Sequence, residues 1–420
     1  MSSLKQALNE GRFVCVLEVV PQQSPSRLAA LEQIVQRGHL AGWTLLLAFA
    51  DRVGLHSDLS PLEGAGALGN PASSLLHFSG KDRERADLLL QMESMKARGL
   101  EQLLLLSGDR LPGHDPGQAP VRYLESVPAL QIAREHCPDW LLGAALNPFK
   151  YREEEGGAQY LKAQKKLLAG ADFLTLQLGF DAAKHIEAQT WMRAQVRRKP
   201  MLACVMKLTD KRAVVLQDVP GVVITESMRE LLGREQQISH AYASARSLER
   251  LALQIVGLQL MGYAGAHVSG VHTLDELLSL EQAITGQRDR ITSLTDWADR
   301  WHASWQMPGA PAVCFAPEIG AWEMGQSDVA ATRGERLRHT LLSSVHGQFF
   351  SRTGWLSRAF GWSVTRPIWK VGVAANALHA VERTVKRPLV GCDTCGRCRL
   401  QDTLYICPET CPKRRFHKGC

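Results

Sequence analysis

The last 29 residues hold six of the chain's ten cysteines, Cys392, Cys395, Cys398, Cys407, Cys411 and Cys420, spaced C-x2-C-x2-C-x8-C-x3-C-x8-C. Thiolates two or three residues apart can converge on one metal centre, whereas a disulfide demands a restricted separation and orientation of its two Cα atoms. Pro408 and Pro412 each follow a cysteine directly. The chemistry expected of this tail is metal-thiolate ligation.

A second set of reactive types lies far upstream. Glu18 interrupts the apolar run VCVLEVVP, where an ionisable group must be solvated, paired or functional because burying an isolated carboxylate costs several kcal/mol. A partly desolvated carboxyl holds its proton to higher pH and can serve as a general acid near neutrality; the competing reading is a structural carboxylate paired within the fold. Asp109 ends LLLLSGD behind Gly108, which permits close backbone approach to a ligand. Gln177 sits inside FLTLQLGFD, where a buried amide requires partners and can read the donor-acceptor edge of a heterocycle. His77, Lys81, Asp82, Arg83 and Arg85 cluster in HFSGKDRER, and Lys162, Lys165 and Lys166 precede Ala169-Gly170-Ala171. The lysines either form a solvated helix face or reach a phosphate group.

The elements that must carry these groups follow from the apolar pattern. Short runs at Val14–Pro21, Trp43–Ala50, Ser74–Gly80, Gln102–Asp109, Leu141–Pro148, Phe173–Asp181, Met201–Leu208 and Gly265–His272 have the near-continuous Val/Leu/Ala character of strands buried on both faces. Helical stretches such as Arg83–Arg98 and Gln159–Ala169 lie between them. Eight strand-helix repeats predict an α/β fold, a (β/α)8 TIM barrel, whose reactive side chains project from the C-terminal strand ends. The seventh interval predicts a loop over Thr209–Val223 and a helix over Gln236–Met261; Thr273 with Glu276 predicts a capping box after the eighth strand.

From about Arg288 the composition changes, with seven of ten tryptophans, Trp297, Trp301, Trp305, Trp322, Trp355, Trp362 and Trp369. This gives a barrel over 1–287, a Trp-rich helical connector over 288–385 and a mainly helical, cysteine-rich metal-binding end over 386–420. Tryptophan enrichment of this kind is read as packing.

Net charge is +7, and residues 381–420 supply nine Lys/Arg against four Asp/Glu. These cations offset a negatively charged metal-thiolate centre or attract an acidic protein. With only Tyr405 and Phe416 available for base stacking, nucleic-acid binding is disfavoured. There is no signal-peptide core and no apolar run of membrane-spanning length, so the expectation is a cytoplasmic protein, where clustered cysteines bind metal rather than pair.

Taken together, LEVVP at Glu18, HFSGKDRER at 77–85, LLLLSGD ending at Asp109, GAALNPF at 143–149, KKLLAGADFLTLQLGFD at 165–181 and VPGVVITESM at 219–228 resemble methylenetetrahydrofolate reductases, in order. The tail KRPLVGCDTCGRCRLQDTLYICPETCPK, residues 386–413, resembles the cysteine-rich C-terminal domain found with such reductases. The resemblance implies an FAD-containing barrel that interconverts 5,10-methylenetetrahydrofolate and 5-methyltetrahydrofolate. On matching positions, Glu18 is the acid that opens the folate ring, Asp109 stabilises the cationic iminium and contacts the pterin, Gln177 binds the folate, and His77, Asn147 and Lys166 help hold the flavin, the lysine near its phosphates. Two positions depart from the pattern. Gly80 stands where similar sequences carry Cys, and Glu84 where they carry Asn, which raises the alternative of a non-redox folate-binding transferase or accessory subunit with a structural zinc tail.

The C-x2-C-x2-C run followed by Cys-Pro resembles half of a ferredoxin pattern, and six cysteines suffice for one four-cysteine iron-sulfur cluster with two spare. Zinc is the alternative, held by Cys392 and Cys395 with Cys407 and Cys411. Cys420 is the least secure ligand, because the chain closes on His417-Lys418-Gly419-Cys420 where the family tail ends in Asn-Gly-Pro-Cys-Gly-Gly. A redox-active cluster implies a ferredoxin or flavodoxin as electron donor.

Overall fold

A computed structural model describes residues 3–305, apart from 23, 52–58, 70, 72, 82, 109–123, 151–152, 218 and 220, and beyond them 315–316, 321–322, 333–349, 355–364, 366, 380 and 384–388. Asp109 and all six tail cysteines lie outside the described residues. The chain divides into two compact units, one running as far as Gly325, the other containing helices Arg333–Phe349 and Trp355–Val364.

Eight parallel strands, β1 (Val14–Val19), β2 (Trp43–Phe49), β3 (Leu75–Ser79), β4 (Gln102–Leu106), β5 (Leu141–Leu146), β6 (Phe173–Leu176), β7 (Met201–Met206) and β8 (Gly265–Ser269), each pair with the next. The ring closes where β8 pairs with β1, Val14 opposite Gly265 and Leu17 opposite Val268. Because side chains alternate across a strand, Cys15, Leu17 and Val19 face the helices, while Val14, Val16 and Glu18 face the barrel axis. The outward set joins the large core beneath the helices.

The inward set changes character along the axis. Val14, Val16, Leu46, Leu75, Leu104, Leu141, Phe173 and Leu202 pack with Leu4, Ala7 and Leu8 of helix Leu4–Asn9, which plugs the N-terminal end. Gly143 is needed there, since a Cβ at that position would lie 2.2 Å from the Phe173 ring. Towards the C-terminal end the same inward positions are occupied by Glu18, His77, Ser79, Thr175, Cys204, His267 and Ser269. An apolar floor therefore carries a polar upper stratum.

Helix Leu294–Trp305 belongs to the barrel unit. Its Trp297, Trp301 and Trp305 recur at i, i+4 and i+8, which puts them on one face, and all three are buried. The Trp297 indole N–H donates to Leu253 O at 2.7 Å and that of Trp301 to Phe180 O at 2.8 Å. Gly257 of helix His240–Met261 makes room, for a Cβ there would meet the Trp297 ring at 2.0 Å. Arg250 lies 4.6 Å over the Trp305 ring while its guanidinium binds Glu235. These three tryptophans are packing residues, as the sequence suggested.

Two local expectations are revised. The segment after β7 is not all loop: Thr209 caps helix Asp210–Leu216 by accepting from Arg212 N. The helix expected over Gln236–Met261 begins at His240, where Ser239 adopts an extended backbone and caps it through Tyr242 N, and a further helix, Glu226–Ile238, precedes it. Thr273 does cap helix Leu274–Arg288, but the Glu276 carboxylate accepts from His272 N instead of the cap residue.

Candidate active site

Glu18 projects from the end of β1 into the mouth of the barrel, where the Ser269 hydroxyl of β8 donates to its Oε2. Strand closure creates this pair, which joins residues 251 positions apart. Glu18 also lines a small cleft of about 30 Å³ whose walls include Pro21, Arg27, Leu31, Phe49 and His272. A half-buried carboxyl with one fixed hydrogen bond and an open face is suited to passing a proton to a bound base.

Beneath it lies a buried polar layer. His77 of β3 and His267 of β8 meet edge to face with centroids 5.4 Å apart. Burial lowers the proton affinity of both imidazoles, His77 well below the ordinary histidine value; the nearby Glu18 charge acts the other way on His267. Both rings are therefore neutral at pH 7. Burial, aided by the Glu18 charge, also raises the Cys204 thiol well above its usual range, so it is a protonated filler and not a thiolate nucleophile. Among the described residues, His77 Nε2, both ring nitrogens of His267 and Thr175 Oγ1 have no hydrogen-bond partner. A buried polar atom without a partner costs about 1–3 kcal/mol, so this layer fits the polar edge of a bound heterocycle.

The β5–β6 side of the mouth is cationic. Lys166, near the end of helix Glu153–Leu168, donates to Ala145 O at 2.6 Å. Burial, with a smaller push from Lys162, brings its pKa down to about 8. Lys162 is lowered too, by burial and then by Lys150 and Lys165. Four lysines crowding one another favour an anion among them. Asn147, following β5, spans to the loop after β7: its amide donates to Gly221 O at 3.3 Å and its Oδ1 accepts from Phe149 N at 3.0 Å. Gln177, after β6, uses its Oε1 to accept from Leu178 N at 2.9 Å.

The 80–84 segment is explained by its neighbours. Gly80 pairs with Leu106 and Leu124 through its backbone, and a Cβ there would lie 1.8 Å from Leu124 O. Glu84 is exposed at the N-terminus of helix Arg85–Lys96, where its N–H donates to Asp87. Arg83 is committed to Asp51 at 2.6 Å, and Asp51 also accepts from Ser79 N. The loops after β2 and β3 are thereby tied together.

Of the residues singled out in the sequence, Glu18 and His77 share the barrel interior, while Asn147, Lys166 and Gln177 occupy the adjoining β5–β6 rim. Ser269, Cys204 and Thr175 were not picked as site residues, and His267, noted within the eighth strand, was weighed for a catalytic role but left out of the site. Their signal was available in the alternation of Gly265, His267 and Ser269, which share one face of β8, but its value depends on knowing that β8 closes against β1.

Residues 70–251 match the family model of methylenetetrahydrofolate reductase, and residues 373–420 match methylene-tetrahydrofolate reductase C terminal, together more than half of the chain. No curated protein matches by sequence. Among solved structures, an uncharacterized protein from Clostridium thermocellum that binds two copies of 5-methyl-5,6,7,8-tetrahydrofolic acid aligns at 12% identity and TM-score 0.46, over 68% of this chain and 99% of that one. A 2,3-dimethylmalate lyase of the PEP mutase/isocitrate lyase superfamily aligns at 13% and 0.38, over 75% and 90%. With its barrel and C-terminal segments both matched by models of the same enzyme, the chain belongs to the methylenetetrahydrofolate reductase family.

Proposed function

We propose that the barrel interconverts 5,10-methylenetetrahydrofolate and 5-methyltetrahydrofolate with a bound FAD, and that electrons enter through an iron-sulfur centre on the C-terminal cysteines. The observation that carries this reading is Glu18 at the mouth, fixed by Ser269 and set above a layer of buried polar atoms that lack partners among the described residues. When bound, the flavin supplies or accepts the hydride.

The chain's own residues do the rest. Glu18 donates its proton to the bridging nitrogen of the folate, which opens the five-membered ring, and retrieves it in the reverse direction. Asp109, by family correspondence, offsets the positive charge that then develops, an interaction strengthened where water is excluded. Gln177 holds the pterin. His77 and Asn147 hold the flavin, and Lys166 with Lys162 takes its phosphates, which restores the charge that burial disfavours. Cys392, Cys395, Cys398, Cys407, Cys411 and Cys420 supply the thiolates for a cluster, or for zinc should the tail be structural; a ferredoxin or flavodoxin is the donor in the first case.

The test is an anaerobic absorption spectrum of the purified protein with iron, sulfide and zinc analysis, followed by addition of 5-methyltetrahydrofolate. A flavin band that bleaches on addition supports the proposal. Protein that retains no flavin and does not reduce added flavin from 5-methyltetrahydrofolate refutes it. Zinc without iron would replace the electron-entry role by a structural one.

A further inference from the structure

We propose that a cleft at the N-terminal end of the barrel, walled by Arg134, Arg197, Arg198 and Lys199, binds the phosphate chain of a small molecule. This end is the opposite one from Glu18. Gly170 and Asp172 precede β6, residues 195–199 lead into β7, and Arg134 lies near the end of helix Ser126–His136, before β5. The cleft holds about 770 Å³, a size typical of small-molecule sites. The inference does not depend on the folate reading.

One side of the cleft is firmly built. Arg134 donates through Nη1 to Trp140 O at 3.1 Å, and through Nη2 to Gly170 O at 2.7 Å and Asp172 Oδ2 at 2.6 Å. Asp172 Oδ2 also accepts from Leu142 N at 3.0 Å, and Lys199 Nζ stands 3.7 Å from Asp172 Oδ1. Gly170, at φ +106, admits the guanidinium, since a Cβ there would lie 3.1 Å from Arg134 Nε. Arg134 and Lys199 therefore serve the fold and set the wall, their charges shared with Asp172.

Arg197 and Arg198 have no such duty. Both are exposed, and among the described residues neither has a hydrogen-bond or ion-pair partner. A helix C-terminus attracts cations by itself, but only within its last turn; these two lie beyond the end of helix Ala182–Ala194. Around the cleft, four cations thus face one carboxylate that two of them already engage. A concave wall with surplus positive charge focuses its field on anions. Guanidiniums recognise phosphate through paired N–H donors, and because both arginines line the cleft a chain of phosphates meets more than one such fork. Exposed Val196 and buried Leu167 add an apolar edge beside them, against which a base can lie.

The test is titration calorimetry of the full chain with inorganic triphosphate and with ATP, both without magnesium. Wild type should bind them saturably. Arg197→Ala combined with Arg198→Ala should weaken that binding about tenfold, the worth of two partly screened ion pairs, with an unchanged urea midpoint because both positions are exposed. Arg98→Ala combined with Arg229→Ala, which removes two exposed charges elsewhere, should leave binding unaltered, as should Lys166→Met. Triphosphate binding as tight as that of ATP or tighter supports a site for the phosphate chain alone, and tighter ATP binding supports a nucleotide site. Four results overturn the proposal and leave the folate reading untouched: no saturable binding, a loss equal in the control pair, a loss confined to Lys166→Met, or tighter binding of a hexaglutamate peptide than of either phosphate compound.

Discussion

Replacing Lys166 with Met should stabilise the protein at neutral pH while weakening its hold on flavin. The native state lowers the Lys166 pKa from 10.5 to about 8, chiefly through burial. That difference corresponds to an upper bound of about 3 kcal/mol at 1.36 kcal/mol per pH unit, and residual water access reduces the expected value to about 1–2 kcal/mol. The sign follows from proton binding. Between pH 8 and 10.5 the unfolded chain binds the lysine proton more tightly than the native state, so wild-type stability from this group rises with pH across that window and is lost as pH falls through 8. Met carries no such cost at any pH. Urea midpoints of the two proteins, converted with a common slope at pH 7, 8, 9 and 10, should show the variant's advantage greatest at pH 7 and shrinking towards pH 10. Loss of the 2.6 Å bond to Ala145 O shifts the whole difference by a constant, so the shrinkage is the diagnostic. A difference that stays flat over this range refutes burial as the cause of the lowered pKa. Flavin content should fall in the same variant, because the cation that a pyrophosphate would recharge is gone.

Other perturbations test separate parts of the argument. Glu18→Gln should retain flavin yet lose folate turnover by about 10²–10⁴-fold, the usual worth of a general acid, as read by stopped-flow flavin bleaching. Gly80→Cys, which restores the residue common in similar sequences, should destabilise by about 1–3 kcal/mol through overpacking, since its Cβ meets Leu124 O; unchanged urea midpoints would count against that contact. Glu84→Asn should change neither stability nor flavin content, because position 84 is an exposed helix cap at which Asn performs well. Trp297→Ala should cost about 3–5 kcal/mol by emptying the space over Gly257 and removing the bond to Leu253 O, as a lowered midpoint would show.

Most of the barrel was legible because its strands are buried on both faces and read as eight apolar runs, each matched in the structure. Glu18 stood out for the same reason, as a lone carboxylate in such a run. Ser269 could not be found this way, since a serine near a strand end is unremarkable until ring closure sets β8 beside β1. The helix break at Ser239 was hidden by helix-forming neighbours on both sides, and only the cap bond to Tyr242 N fixes it. The short helix after β7 was missed because Thr209–Val223 lacks apolar periodicity.

The helix Leu4–Asn9 also has a bearing on the chemistry at the other end. Leu4, Ala7 and Leu8 cork the barrel as the bung closes a cask, so solvent cannot seep upward into the layer of His77 and His267. That layer's dryness, and with it the neutrality of both imidazoles, is guarded by side chains that never approach a substrate. An N-terminal fusion or trimming that unseats the cork would let water in from below, and the first sign would be histidines that begin to titrate, well before any strand lets go.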